Sequence, residues 1–326
     1  MMSELPSDAA TRGINAASPG VVIAARRLST SDVIELSVLA EKNGWSGAWL
    51  AEVLSLDATV LLGALTQKTS RIELGTAIIP VSTRSAALLA MMASTLSQLA
   101  PGRISIGFGV STPEIVKRRH DRPVEFPLGY ASGVIDVVRQ ALKGERVDRE
   151  ASPAVNDLRI EAPEIVPPLL LAALGPKMVD LARSHADGLI LNLIPFDALS
   201  TVAPIDMKTT HTPFRTILSQ RVCIDPTPED LDVIRREIAS YCRVPAYSAS
   251  ISRFGWDLSE IQAAEPKEAA KALPDDLLHQ VVVLGSKKDC LERLRQIRNL
   301  GVEPLVVPVG ADNPIPKILN ELDPSY

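Results

Sequence analysis

A strand, a helix and a second strand follow one another without interruption in residues 71–111, and this stretch limits the fold more than any other. Residues 71–79 are apolar and rich in β-branched side chains, residues 84–99 carry apolar side chains at helical spacing, and residues 104–108 are apolar again. Ser82-Thr83 offers a helix N-cap, and Pro101-Gly102 ends the helix. Two buried strands joined by such a helix form a parallel βαβ unit.

The same alternation continues along the whole chain and gives eight strand candidates. We therefore predict an α/β fold, a (β/α)8 TIM barrel, with an external helical insertion over residues 244–278 before the last helix and strand. A doubly wound open sheet is the alternative, but no GxGxxG motif follows the first strand. The strand candidates are residues 21–25, 45–53, 71–79, 104–108, 169–174, 188–194, 216–224 and 304–309.

The connections are predicted from their composition. Residues 1–19 are polar, rich in Ala and Ser and without periodicity, which predicts a disordered tail before one barrel domain over residues 20–326. Residues 110–127 are charged and interrupted by prolines, which predicts a loop. Residues 144–168 carry four prolines and predict an irregular connection.

Composition excludes several classes of function. The formal net charge is −5 and the pI is about 5.5, which argues against nucleic acid or an anionic membrane as the main partner. No apolar run reaches the roughly 18 residues of a spanning helix, so we expect a cytoplasmic protein that does not bind a membrane. The three cysteines, Cys223, Cys242 and Cys290, are scattered and lack a CxxC pair, which predicts buried thiols and no metal site.

Two Gly-containing segments follow predicted strands and are candidates for ligand contact. Gly107 and Gly109 end one strand, where a backbone can approach a ligand closely or simply turn. Gly175-Pro176-Lys177 opens a helix directly after another strand, where free N–H groups and a lysine favour an anion. An ordinary N-terminal proline explains the second segment equally well.

At this point four segments together resemble one known family. The chain is similar to the luciferase-like monooxygenase superfamily, in particular its branch of F420-dependent oxidoreductases such as methylenetetrahydromethanopterin reductase. The resemblance covers residues 21–309 and implies a (β/α)8 barrel with the cofactor at the carboxyl face, and commonly a homodimer. The segments are SRIELGTAIIPVSTRSAALLAMMASTLSQLAPGRISIGFGVSTPEIV, FPLGYASGVIDVVRQALKGERV, PPLLLAALGPKMVDLARSHADGLILNLI and VVVLGSKKDCLERLRQIRNLGVEPLVVPV.

The resemblance implies a set of residues that bind the cofactor. A cis peptide bond between Ala77 and Ile78 would lie behind the deazaflavin ring, and the segment starting at Gly175 would hold the phosphate. Without the resemblance, residues 71–79 are a plain buried strand ending at Pro80, and Asn192 is a polar residue at the start of a loop. The implied cofactor-binding residues are Glu52, Thr76, Ala77, Ile78, Gly107, Gly109, Ser111, Leu174, Gly175, Pro176, Lys177, Met178 and Asn192.

The usual proton donor of the family is not visible in this sequence. Several relatives have a histidine where this chain has Val53, and some use a glutamate where it has Thr112. The remaining candidates for catalysis are Glu52, His120 and Tyr130, each of which could equally be a surface residue.

Two further charged residues match family positions. Asp57 matches a family aspartate but is also a normal first residue for a helix, and Arg84 matches a Ser/Thr-Arg-Ser element but could be surface charge.

Three hypotheses for function follow. The first is an F420-dependent oxidoreductase that moves a hydride between reduced deazaflavin and a small unsaturated organic substrate with a C=C or C=N bond. The second is an FMN-dependent monooxygenase on the same barrel. The third, motivated by Val53, Thr112 and Arg119, is a paralogue without catalysis that acts as a binding or assembly subunit.

Overall fold

The computed structural model describes residues 19–23, 28–52, 56–121, 127–202 and 214–325, except for the side chains of residues 113–115 and 119. The predicted tail over residues 1–19 therefore lies outside the described residues, apart from Pro19. The strands are β1 (Gly20–Val22), β2 (Gly47–Leu50), β3 (Glu73–Thr76), β4 (Ile79–Pro80), β5 (Ile104–Gly109), β6 (Val147–Arg149), β7 (Val155–Leu158), β8 (Leu169–Ala172), β9 (Gly188–Asn192), β10 (Arg215–Ile224), β11 (Val282–Gly285) and β12 (Glu303–Pro308).

Eight of these strands form a closed parallel barrel, as predicted. The order is β1, β2, β3, β5, β8, β9, β10, β12, and β12 pairs again with β1. Each strand is followed by a connection that returns along the outside, because parallel strands cannot be joined by a tight turn. Strand β11 extends the carboxyl half of β10, and β4 pairs with the end of β5.

The helices surround the barrel, and several begin with side-chain caps that the sequence encodes locally. Capping boxes start α1 at Ser29, α8 at Thr227 and α13 at Ser286. No helix among the described residues is long and apolar enough to cross a membrane. The helices are α1 (Thr30–Lys42), α2 (Ala58–Thr66), α3 (Ala86–Leu99), α4 (Pro113–His120), α5 (Pro127–Leu142), α6 (Pro176–His185), α7 (Leu199–Val202), α8 (Pro228–Cys242), α9 (Pro245–Ser252), α10 (Ser259–Ala263), α11 (Pro266–Lys271), α12 (Asp275–Val281), α13 (Lys287–Asn299) and α14 (Ile315–Glu321).

The barrel interior is filled by side chains, with Trp49 at its centre. A Cβ atom at Gly75 would lie 2.4 Å from the Trp49 ring, so the ring fills the space that a side chain at position 75 would need. At the amino-terminal end, Arg215 pairs with Glu73 at 2.6 Å and with Glu303 at 2.7 Å. The interior is therefore a packed core, and a ligand must bind above it, at the carboxyl ends of the strands.

The structure corrects four local predictions. The loop predicted over residues 110–127 contains α4, since a proline such as Pro113 is compatible with the first turn of a helix. The irregular connection contains an antiparallel hairpin of β6 and β7. The strand predicted over residues 71–79 is interrupted between β3 and β4. Helix α3 begins at Ala86, because the Ser85 hydroxyl accepts a hydrogen bond from the Leu88 N–H.

The predicted insertion over residues 244–278 consists of α9, α10, α11 and α12. Together with α8 these helices form a second apolar cluster, separate from the main cluster between barrel and outer helices. The insertion therefore packs on α8, and Ser250 of α9 also donates a hydrogen bond to the Leu174 carbonyl just after β8.

Candidate active site at the carboxyl rim

Backbone strain marks the carboxyl ends of the barrel strands. Ser111, Leu193 and Asp225 have positive φ angles of 57°, 53° and 45°, and they follow β5, β9 and β10. Non-glycine residues rarely adopt this conformation, and such residues concentrate at functional sites. The rim where (β/α)8 barrels carry their active sites is therefore also the strained part of this barrel.

The peptide bond between Ala77 and Ile78 is cis, as the family resemblance implies. The end of β2 holds it on both sides. The Ala77 N–H donates to the Leu50 carbonyl at 2.8 Å, and the Glu52 N–H donates to the Ile78 carbonyl at 3.2 Å. Ile78 is partly exposed at this point, between β3 and β4.

Thr76 and Gly107 join β3 to β5 just below the cis bond. The Thr76 hydroxyl donates to the Gly107 carbonyl at 3.0 Å and accepts from the Gly107 N–H at 2.8 Å. A Cβ atom at Gly107 would lie 2.1 Å from the Thr76 carbonyl oxygen. Glycine at position 107 thus permits the close approach of two strands, and the cofactor contacts expected of both residues stay predictions.

Gly109, Ile78 and Ala172 form an apolar floor at the rim. A Cβ atom at Gly109 would lie 2.8 Å from Ile78 Cδ1 and 3.3 Å from Ala172 Cβ, so these groups are in close contact. Ile78 and Ala172 are half-exposed and also contact the interior cluster below. Ser111 is half-exposed beyond the end of β5. The floor is thus an apolar surface at the rim, and ligand sites are commonly lined by such groups.

Arg84 links two predicted acidic residues. Its Nη1 donates to Glu52 Oε1 at 2.6 Å and its Nη2 donates to Asp57 Oδ2 at 2.9 Å. The hydrogen bond to Glu52 and the charges of both carboxylates raise the pKa of Arg84. Glu52 enters this contact as an acceptor, because a guanidinium has only donors. Its second oxygen, Oε2, is buried and has no hydrogen-bond partner among the described residues.

Asp57 is also the N-cap of α2. Its carboxylate accepts from the Thr59 N–H at 2.8 Å and the Val60 N–H at 3.3 Å. Although partial burial acts in the opposite direction, the hydrogen bonds from Thr59 and the charge of Arg84 lower the pKa of Asp57. Both interpretations of Asp57, helix-starting acid and part of a charged group near the rim, therefore apply.

Helix α6 begins at the rim with the segment predicted to hold a phosphate. Gly175 is its N-cap without a side-chain hydrogen bond, and Pro176 is its first residue. A Cβ atom at Gly175 would meet no atom within 4 Å, so the space beside this N-terminus is open. Lys177 is exposed here. Free N–H groups, the positive end of the helix dipole and a lysine together suit an anion.

The insertion reaches the same place through α9. The Leu174 carbonyl, which precedes Gly175, accepts from the Ser250 hydroxyl at 3.0 Å and from Arg253 Nη2 at 3.1 Å. Ser250 is buried and Arg253 is exposed. Sequence reasoning missed Arg253, because nothing local in the sequence relates the insertion to the start of α6.

Asn192 belongs to a polar network at the end of β9, the strand that pairs with β8. Arg221 Nη1 donates to Asn192 Oδ1 at 2.8 Å, and Asn192 Nδ2 donates to the Tyr247 hydroxyl at 2.9 Å. Arg221 is buried, pairs with Glu237 at 2.8 Å and lies 4.8 Å from the centre of the Tyr241 ring. Sequence reasoning missed Arg221 and Tyr247. The available signal was an arginine in the interior of the predicted strand over residues 216–224.

The other two candidates for catalysis lie on separate elements. His120 is exposed at the end of α4, and Tyr130 is half-buried in α5, where it contacts the main core. Among the described hydrogen bonds and ion pairs, neither residue contacts Glu52. Their catalytic roles stay predictions. Val53, one of the departures from the family, lies outside the described residues.

The rim residues fit a flat cofactor with an anionic tail. The apolar floor would lie against the ring, and the open start of α6 beside Gly175 would receive a phosphate. The unpartnered oxygen of Glu52 is a further acceptor in the same region. Among the described residues, His, Cys, Asp and Glu do not form a group of three that could hold a metal ion.

Comparison of the sequence with known proteins gives a consistent result. The sequence profile of the luciferase-like monooxygenase family matches residues 14–304. The 5,10-methylenetetrahydromethanopterin reductase of Methanolobus tindarius is 24% identical over 83% of this chain and 89% of its own length. A Mycobacterium tuberculosis protein named provisionally as a coenzyme F420-dependent oxidoreductase is 32% identical, over 47% of this chain and 49% of its own length.

Solved structures share the fold. The coenzyme F420-dependent tetrahydromethanopterin reductase from Methanopyrus kandleri superposes with a TM-score of 0.76 at 18% identity, covering 95% of this chain and 99% of that one. The oxygenating constituent of 3,6-diketocamphane monooxygenase from Pseudomonas putida, in complex with FMN, gives 0.63 at 18% identity over 94% and 98%. The relatives are oxidoreductases, and this chain is an enzyme. By the family match over most of its length, it belongs to the luciferase-like monooxygenase family.

Proposed function

We propose that the chain is an F420-dependent oxidoreductase that transfers a hydride between reduced deazaflavin and a small unsaturated organic substrate with a C=C or C=N bond. The observation that carries the proposal is the apolar floor of Ile78, Gly109 and Ala172 at the same rim as the open start of α6. Relatives named as F420-dependent enzymes support the choice of cofactor.

Each part of the rim has a distinct task in this proposal. Bound F420 supplies the hydride-carrying ring. Ile78, Gly109 and Ala172 would lie against the ring and keep water away from it. The N–H groups at the start of α6 and the ammonium of Lys177 bind the phosphate. The Glu52 N–H holds the Ile78 carbonyl, and Arg84 holds the Glu52 side chain.

A binding titration tests the proposal directly. Purified protein is titrated with F420 and, in parallel, with FMN, while the fluorescence of each cofactor is followed. We expect saturable binding of F420 that is tighter than binding of FMN. Substitution Lys177→Ala should weaken F420 binding by about tenfold, because it removes a charged contact to the phosphate. Lys143→Ala, which alters an exposed lysine after α5, serves as the control and should leave binding unchanged.

The second candidate is an FMN-dependent monooxygenase. The structural similarity to the FMN complex of a monooxygenase favours it. Tighter binding of FMN than of F420 in the same titration would support this function and contradict the first. Binding of neither cofactor by folded protein would contradict both and leave the binding or assembly subunit.

We further propose that two copies associate through α2 and α3. These helices contain no charged residue over 9 and 14 residues. Of the seven large apolar side chains that are exposed among the described residues, five lie on α1, α2 and α3: Val38, Val60, Leu88, Met91 and Leu99. Across a two-fold axis a surface faces the same surface of the second copy, so a charged residue there would face a like charge. An uncharged surface avoids this repulsion. A second copy of the chain is therefore the partner that this surface suits.

A further inference from the structure

Asn192 has a fixed orientation, because its two neighbours differ in what they can do. The Arg221 guanidinium is only a donor, so the atom it contacts at 2.8 Å must be the amide oxygen of Asn192. The amide nitrogen therefore faces the Tyr247 hydroxyl at 2.9 Å and donates to it. Since the hydroxyl oxygen accepts this bond, its own proton is available to another acceptor. Among the described residues no group accepts that proton.

The position of this hydroxyl is at the rim, above the barrel interior. Side chains alternate along a strand, and Ile190 belongs to the interior cluster, so Asn192 faces inward one layer higher. Along β10 the same alternation from Ile217 makes Arg221 face inward. Arg221 pairs with Val307 of β12, which contacts the interior cluster. The Tyr247 hydroxyl, bonded to Asn192, lies on this upper layer. The apolar floor of Ile78, Gly109 and Ala172 lies on neighbouring strands of the same rim.

Helix α9 is held firmly enough to present a hydroxyl in one place. Tyr247 and Ser250 lie three residues apart on one face of α9, and Arg253 follows at the C-cap. Tyr247 contacts Asn192 at the end of β9, while Ser250 and Arg253 contact the Leu174 carbonyl just after β8. The Tyr247 ring also lies with its centre 4.8 Å from that of Tyr241, at an angle of 65°. The hydroxyl is thus positioned from three directions.

We propose that Tyr247 is the proton donor of the reaction, in place of the donor that the family positions at Val53 and Thr112 do not supply. This inference rests on the proposed function. As the hydride adds to one atom of the substrate double bond, the π electron pair moves to the other atom. That atom takes the proton of Tyr247, and the O–H bond breaks to leave a phenolate. In a conjugated enone the electron pair passes on to the carbonyl oxygen, so this oxygen takes the proton, and the resulting enol becomes the ketone by proton exchange with water. Water later returns a proton to the phenolate.

The surroundings of Tyr247 suit both states of this hydroxyl. Burial raises the pKa of Tyr247, so the phenol is fully protonated at neutral pH, while the amide of Asn192 and the charge of Arg221 act in the opposite direction. These same two groups stabilise the phenolate once it forms. The other charged or titratable groups of the network are Tyr241 and Glu237, and Glu237 is paired with Arg221.

The first test compares wild-type protein, Tyr247→Phe and Ser252→Ala. Ser252→Ala is the control, because it removes an exposed hydroxyl from the same helix, α9, without touching the polar network of Asn192. Reduced F420 is mixed with cyclohex-2-en-1-one, and the oxidation of F420 in a single turnover is followed in H2O and in D2O. We expect Tyr247→Phe to lower the rate by about 100-fold and to abolish the solvent isotope effect, with F420 affinity changed less than threefold. Ser252→Ala should retain the wild-type rate and isotope effect.

The second test needs no turnover. The carbonyl stretch of cyclohex-2-en-1-one bound to the protein is measured by Raman difference spectroscopy. A hydrogen bond from Tyr247 should shift this stretch to lower frequency in the wild type and in Ser252→Ala, and the shift should disappear in Tyr247→Phe. A merely structural tyrosine would leave this frequency unchanged.

The two tests separate failure of this inference from failure of the proposed function. Absence of F420 binding to the wild type would contradict the proposed function, and the Raman shift would still decide the role of Tyr247. Any one of four results would overturn the assignment of Tyr247. Three concern Tyr247→Phe: a rate within threefold of the wild type, a retained isotope effect, or the same Raman frequency as the wild type. The fourth is that the wild type does not bind the enone.

Discussion

Arg84 shows how much one residue contributes beyond what its local sequence indicates. It lies just before α3, where a cation gains nothing from the helix dipole. The structure explains its position by two carboxylates, Glu52 and Asp57, which are 32 and 27 residues away. Arg84 and Glu52 are only 13% and 16% exposed. Removing the guanidinium would leave a largely buried carboxylate without its partner.

We therefore predict that Arg84→Ala lowers the free energy of unfolding by about 1–3 kcal/mol. Arg84→Lys should have an intermediate effect, because an ammonium cannot span both carboxylates as the planar guanidinium does. Urea denaturation measures both changes. Arg295→Ala is the control, since Arg295 and Glu292 form an exposed pair at 3.7 Å, and it should change stability by less than about 0.5 kcal/mol. Equal effects at the two sites would refute the prediction.

Gly107 gives a second prediction at this scale. A methyl group there would lie 2.1 Å from the backbone oxygen of Thr76, so Gly107→Ala must displace a strand. We expect a loss of about 1–3 kcal/mol in thermal or urea unfolding. Gly129→Ala is the matched control, because Gly129 is an exposed helical glycine with no atom within 4 Å of the added Cβ. Its expected effect is a gain of about 0.5–1 kcal/mol. A stable Gly107→Ala protein would contradict the prediction.

Among the elements, β10, α8 and α13 show how the outer layer is held to the barrel. Each carries one buried cysteine: Cys223, Cys242 and Cys290. Burial raises the pKa of Cys223 and Cys242 to about 11 and that of Cys290 to about 12. The reactivity of the three thiols towards a thiol reagent therefore reports whether these elements stay in contact.

We expect no reaction of the native protein with Ellman's reagent at pH 8, and three thiols after denaturation. The pH dependence follows with a definite sign. Folding favours the neutral thiol, so above about pH 9 the unfolded chain loses protons that the folded chain keeps. Stability should therefore fall as pH rises from about 9 towards the folded-state values. Rapid labelling of a native thiol at pH 8 would show that one of these contacts opens easily.

At the scale of the whole molecule, the uncharged surface of α2 and α3 predicts a dimer. Met91→Glu would bring two negative charges, one from each copy, close together across the two-fold axis. We therefore expect monomers in size-exclusion chromatography with light scattering. Ile165→Glu changes an exposed apolar residue outside this surface and should leave the dimer intact. A wild-type protein that is monomeric at micromolar concentration would contradict the proposed interface.

Much of the architecture could be predicted from the sequence, because the signals that encode it are local. The spacing of apolar residues gave eight strands and the alternation with helices, and parallel strands of this number close into a barrel. The helix start at Gly175 was predicted from Gly175-Pro176 directly after a strand, whereas the cis bond at Ala77–Ile78 was implied only by the family resemblance. Helix α4 and the β6–β7 hairpin were not predicted, because they lie in connections where prolines interrupt the regular spacing of apolar residues.

The sequence by itself determined the barrel, its helical insertion and the position of the candidate site at the carboxyl rim, since periodicity and turn residues act over a few neighbours. Only the tertiary structure decided which charges meet. Arg215 joins Glu73 from 142 residues away, and Arg221 orients Asn192, which in turn holds Tyr247, 55 residues further along the chain. Such partners are neighbours only once the barrel has closed, because closure brings together strands that are far apart in sequence.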